Sequence, residues 1–190
     1  MMPEPDPARI VACAEAADFA AWLATHCADW PEVWLKLAKG TGLTWEQAVI
    51  EALAWGWIDG VKKSLDATHW LQRFTPRKGQ SAWSMKNRTH VEKLIADGRM
   101  QLPGLSQVLA AQSDGRWDRA YEGSAGFAVP PDFLAALVMA SPQAQAHYAT
   151  LNRQNLYAIY YRLTSVKRPE TRTRKVAEFV AMMERGALFH

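Results

Sequence analysis

Between Trp55 and Arg88 the chain concentrates side chains able to hold an anion and to move a proton. Arg73 and Arg77 stand four residues apart around Pro76, Ser81 and Ser84 add hydroxyls, and Asn87 adds an amide. Guanidinium groups grip carboxylates and phosphates through forked, charge-assisted hydrogen bonds, and a helix beginning near Ser84 would contribute free amide donors. Trp57 and Trp83 offer flat stacking faces. Asp59 is the one acid placed to orient an arginine or accept a proton. The candidate ligand-binding set is therefore Trp57, Asp59, Arg73, Arg77, Ser81, Trp83, Ser84 and Asn87, with Asp59 the candidate catalytic residue. A purely structural account competes with it: tryptophans fill cores, Asp59 pins Arg73 in a buried ion pair, and Ser84 only caps its helix.

The elements that must position this set follow from spacing. Phe19, Trp22, Leu23 and His26 share one face of a first helix, which Pro31 ends. Residues 33–39 alternate with period two and read as a strand closed by Gly40-Thr41-Gly42. Thr44 and Gln47 form a capping box for a second helix that stops at Gly56. Residues 57–63 and 68–74, joined by Leu65-Asp66-Ala67, read as an antiparallel hairpin. Helices from about Ser84 to Asp97 and Pro103 to Asp114 follow, with Gly98 and Gly115 as terminators.

Gly123-Ser124-Ala125-Gly126 and Pro130-Pro131 mark a linker, and all nine tryptophans precede it. Beyond it Leu156, Ile159, Tyr160 and Leu163, and then Val176, Phe179, Val180 and Met183, keep helical spacing. The expected fold is α+β. A small mixed or antiparallel sheet with helices occupies residues 1–123, a linker 124–130, and an all-helical module 131–190.

At 190 residues and 49% hydrophobic the chain has ample core material. The opening Met1 to Pro7 carries three prolines and two acids, which suits a disordered start and not a secretion signal. No apolar run approaches the roughly 20 residues of a membrane span, so the expectation is a cytoplasmic protein. Cys13 and Cys27 fall in a stretch that reads as helical and lack metal-type neighbours, so both are expected to be buried free thiols. No metal site and no cofactor is expected. Gly40-Thr41-Gly42 lacks the third glycine of a dinucleotide loop, because Trp45 stands there. His26, His69, His90 and His147 are scattered and read as structural or surface residues.

Charge is uneven along a chain of net +3. Residues 62–88 hold Lys62, Lys63, Arg73, Arg77, Lys78, Lys86 and Arg88 against Asp66, and 153–175 repeat that balance against Glu170 alone. The second stretch spreads over two helices and reads as a solvated face, which argues against a nucleic-acid partner.

The runs Glu51 to Gly60, Arg73 to Arg77, Ser81 to Ser84 with Asn87, Asp97 to Met100 and Asp114 to Trp117, with Lys167 to Arg172, resemble the YdeI/OmpD-associated family, also labelled bacteriocin-protection proteins. The resemblance runs from about Phe19 over nearly the whole chain, and Tyr160 stands where the family pattern has tryptophan. It implies a bacterial stress or antimicrobial-tolerance protein linked by name to a porin, and it brings no catalytic mechanism. With the residues above, the expected function is binding of an anionic small molecule. Two alternatives stand beside it: an enzyme acting on a phosphorylated or carboxylated metabolite with Asp59 as base, and a protein-partner module using exposed tryptophans.

Overall fold

A computed structural model describes residues 4–124 and 126–189. They divide into two compact units, Met1–Ala120 and Tyr121–His190. Met1 to Pro3 of the opening segment, and Ala125 of the glycine-rich stretch, lie outside the described residues.

The first unit is a four-stranded mixed sheet with helices. Its elements are β1 (Ile10–Ala12), α1 (Ala16–His26), β2 (Val33–Ala38), α2 (Trp45–Ala54), β3 (Trp57–Ser64), β4 (His69–Pro76), α3 (Met85–Ala96) and α4 (Leu102–Ser113). The strand order is β1-β2-β4-β3. β1 runs parallel to β2, and the other two pairs are antiparallel. The N-terminal part thus has the expected α+β character.

β1 is an addition to the sequence reading, since three residues are too few to display an alternation. The opening segment is also more ordered than expected where it is described: Asp6 accepts the Ala8 amide at 3.0 Å and caps a turn of 3-10 helix at Pro7–Arg9. Cys13 lies between β1 and α1 and Cys27 at the end of α1, so neither sits inside a helix. Both are free and only half-buried. Burial pushes the Cys13 thiol up to about 11 and raises Cys27 as well, which removes the thiolate character a nucleophile needs.

One face of the sheet meets the helices. Val33, Leu35 and Leu37 of β2 and Phe74 of β4 are at most 1% exposed and pack with Phe19 and Leu23 of α1 and Ala48, Ala52 and Leu53 of α2. Thr44 and Gln47 form the predicted reciprocal cap, which sets Trp45 as the first residue of α2. Helix α2 ends at Ala54, and the turn after it is made by Gly56, whose φ of +76° suits glycine and whose carbonyl accepts the Arg77 amide at 2.9 Å. Gly104 lets α4 approach that end closely, since a Cβ there would lie 2.2 Å from the Ala54 carbonyl oxygen.

The second unit is helical: α5 (Pro131–Val138), α6 (Pro142–Ala149), α7 (Arg153–Thr164) and α8 (Pro169–Glu184). Phe133, Ile159, Leu163, Phe179 and Met183 form its fully buried centre. Arg172 of α8 grips Asp132 of α5 through bonds of 2.6 and 2.9 Å and donates to the Leu163 carbonyl, tying three helices together. The basic stretch is in part structural in the same way, with Arg162 lying 4.4 Å from the Phe189 ring centroid. Tyr160 is buried, and its hydroxyl accepts the Glu122 amide at 2.7 Å, a contact an indole could not accept. No helix among the described residues is long and apolar enough to cross a membrane.

Candidate functional site

The arginines and hydroxyls singled out in the sequence are engaged internally. Arg73 stands opposite Trp34 on the outer face of the sheet and pairs with Glu32 at 2.5 and 2.7 Å. Asp59 stands opposite Phe74, one residue out of phase with Arg73 and so on the other face. The Asp59–Arg73 ion pair offered as the structural account therefore does not form.

Arg77 is 5% exposed, donates to the Ala82 carbonyl at 2.7 Å, and lies 3.7 Å from the centroid of the Trp83 ring. Trp83 meets Trp117 edge-on at 5.0 Å, and Arg88 covers Trp117. Arg116, in the turn after α4, chelates Asp114 and donates to the Ser81 carbonyl at 3.1 Å. The Ser81 hydroxyl accepts the Lys78 amide, and the Ser84 hydroxyl accepts the Asn87 amide to cap α3.

Arg77, Ser81, Trp83 and Ser84 do come together, but in a buried cation–π cluster and its adjoining turn. Trp57 lies elsewhere, with its indole donating to the Cys27 carbonyl at 3.2 Å. Trp57 and Trp83 are each 1% exposed, which removes them from any docking patch for a protein partner.

Asp59 alone of the predicted set lines a recess of about 860 Å³ on the β3–β4 hairpin. Its floor is the helix-facing side of the β3–β4 hairpin, where Trp70 borders the core. Between Asp59 and Lys62 the register slips: Asp59 pairs with Phe74 and Lys62 with Gln72, so three steps on β3 match two on β4. Strict alternation would send Lys62 to the opposite face from Asp59. The extra residue restores it, and Asp59, Lys62 and Ser64 share the face of Phe74, Gln72 and Trp70. Gln72, 3% exposed, holds this bulge by donating its side-chain amide to the Gly60 carbonyl at 2.9 Å and the Val61 carbonyl at 3.4 Å.

Around that floor stand Trp45, 39% exposed, half-buried Trp70, and the lysines Lys39, Lys62 and Lys63. Lys86 lies 5.4 Å from the Trp45 ring centroid and pairs with Glu46 at 2.7 Å, which steadies the indole. Lys39 is anchored on the Ala67 carbonyl at 2.9 Å, and Lys63 pairs with Glu4. Burial pushes the Asp59 carboxyl above its ordinary range; a hydrogen bond from the Trp45 indole, its own backbone amide and the charge of Arg77 offset that only in part.

The sequence reading missed Trp45, Trp70, Gln72 and the lysines as site residues. The one available signal was the capping box, which puts Trp45 at the mouth of α2 directly after Lys39 and the glycine turn. Gly40 and Gly42 take φ of +82° and +70°, the conformation of a turn. Among the described residues no group of His, Cys, Asp and Glu is arranged to hold a metal ion.

Fold and cavity together define a two-unit chain: an α+β unit with a lysine- and indole-lined recess, followed by a helical module. The chain belongs to the family of the domain of unknown function DUF8412, whose model matches residues 11–107, and residues 126–186 match the model described as Bacteriocin-protection, YdeI or OmpD-Associated. The family resemblance drawn from the sequence is thus shown over the C-terminal part, whereas the Trp-Ile-Asp and Phe-Thr-Pro-Arg elements fall within the first match. No curated protein and no solved structure was found to match the chain.

Two outcomes follow from the site's construction. Gln72→Leu strips the bulge carbonyls of a buried donor and should cost about 1–3 kcal/mol. Amide exchange should quicken at Gly60 to Lys62 while α1 and α2 stay protected; unchanged exchange there would contradict the assigned role. For Asp59 the raised carboxyl means the folded state holds its proton more tightly than the unfolded chain. Stability therefore falls as pH rises from the ordinary carboxylate value through the raised one. Asp59→Asn should melt higher than the native chain at neutral pH, with the gap closing below the ordinary carboxylate range.

Proposed function

We propose that the α+β unit is a small-molecule receptor within a bacteriocin-tolerance protein, and that its ligand carries an acid group on a flat apolar body. The observation that carries this reading is the composition of the β3–β4 cavity. A volume of about 860 Å³ is lined by two indoles and three lysines with a single acid, Asp59. Ligand pockets of this size pair apolar walls with a few polar groups that fix orientation. Indoles give a planar ring a stacking surface, and the lysine ammonium groups favour a carboxylate or phosphate. The anion-binding role expected of Arg73 and Arg77 thereby passes to lysines of the hairpin, because both arginines are committed elsewhere.

A second reading, an enzyme with Asp59 as general base, draws on the same observation, since a carboxyl raised by burial inside a cavity is the condition such a base needs. It differs in outcome. Asp59→Asn that keeps binding and abolishes turnover of a bound acid would put the enzyme first.

The receptor reading is tested by thermal denaturation against a panel of aromatic carboxylates and phosphates. A true ligand at a hundredfold excess over its Kd adds about 2.7 kcal/mol of stability. Trp70→Ala should weaken that ligand by about 1 kcal/mol, roughly fivefold in Kd, while Arg73→Ala leaves its affinity unchanged. A panel with no stabilising member, or a ligand lost with Arg73 and kept without Trp70, would overturn the assignment.

A further inference from the structure

Charge inside the β3–β4 cavity is sorted by position. Asp59 lies half-buried at the inner end, opposite Phe74 and within the influence of the Trp45 indole. Lys62 is exposed opposite Gln72, and Lys39 is fixed near the hairpin tip by the Ala67 and Asp66 carbonyls. Measured on β4, Asp59 and Lys62 are two residues apart, or roughly 7 Å along the strand. The bulge puts both on one face, so a single guest meets both.

The two ends ask for opposite partners. Lysines at the mouth suit an acid. At the inner end the groups that stabilise the carboxylate are the Trp45 indole, the backbone amide of Asp59 itself and the charge of Arg77, and together they leave burial the larger effect. A guest that brings a cationic donor to that carboxylate would offset the remaining cost of burying it, and a guest with an apolar end there would not.

We propose that the ligand of this cavity is an amphipathic zwitterion, with an ammonium group on Asp59, a planar body along Trp45 and Trp70, and an acid group on Lys62 and Lys39. The inference rests on the receptor reading above and adds a requirement that reading does not contain, a cation at the inner end. It also specifies order: the cationic group enters first and the acid remains at the mouth.

Three matched probes separate the possibilities by isothermal titration of the full chain at mildly alkaline pH. They are 4-(aminomethyl)benzoate, 4-ethylbenzoate, which replaces the ammonium by a methyl group, and 4-ethylbenzylamine, which lacks the acid. The zwitterion is expected to bind about tenfold more tightly than either single-charge probe. Asp59→Asn should erase its advantage over 4-ethylbenzoate, and Lys62→Glu should erase its advantage over 4-ethylbenzylamine. Because the ratio in the native chain decides the matter, the conclusion does not depend on either variant folding.

Equal binding of 4-ethylbenzoate and the zwitterion overturns this inference and leaves the receptor reading standing. Equal binding of 4-ethylbenzylamine and the zwitterion also overturns it, by removing the acid end. Binding by none of the three removes both.

Discussion

A single carboxamide decides what the β3–β4 hairpin presents. Gln72 is buried in the middle of β4, and its side chain donates to the Gly60 carbonyl at 2.9 Å and the Val61 carbonyl at 3.4 Å, both inside the irregularity of β3. Backbone carbonyls freed from a strand ladder need another donor, and a buried Gln72 amide in turn needs acceptors, so the two satisfy each other. With that donor in place β3 carries one residue more than β4 between Asp59 and Lys62. An acid, a base and a hydroxyl are thereby aligned on one surface, where plain alternation would have divided them between two.

The remainder of the unit holds that surface in position. The capping box of α2 sets Trp45 over the inner end of the cavity, and the close approach of α4 to the C-terminus of α2 through Gly104 fixes where β3 begins. At the far end of β4 the chain is clamped by Arg77, whose amide reaches the Gly56 carbonyl and whose guanidinium lies over Trp83. A guanidinium stacked on an indole and shielded from water is a strong fixed contact. The residues with the most conspicuous binding chemistry in the sequence thus serve as struts, and the cavity is lined by lysines and indoles that attract less notice.

Much of the fold was legible. The periodicity of α1, the Thr44–Gln47 cap, the hairpin and the paired helices of the C-terminal part all rest on local spacing, and local spacing is what a sequence displays. Asp59 was legible as a chemical candidate for the same reason. Its companions were not, because a bulge is defined by the partner strand, and β3 read alone shows only an extended run. The fate of Arg73 was hidden differently: its partner Glu32 lies 41 residues away, and only the register of β2 against β4 brings the two together. Arg77 shows the limit of composition, since an arginine beside a tryptophan reads equally as a binding pair or as a buried stack until its exposure is known.

On the proposal above, the inner face of the bulged hairpin, and not the arginine cluster after it, receives the ligand. The nine tryptophans provide a direct readout, since each indole N–H gives its own resonance in a proton–nitrogen correlation spectrum. On titration with 4-ethylbenzoate, the Trp45 and Trp70 indoles and the amides of Asp59, Gly60 and Lys62 should shift together, with Trp57 and Trp83 unmoved. Shifts confined to Trp83, Trp117 and the Arg77 amide, or no shift at saturating probe, would contradict the account.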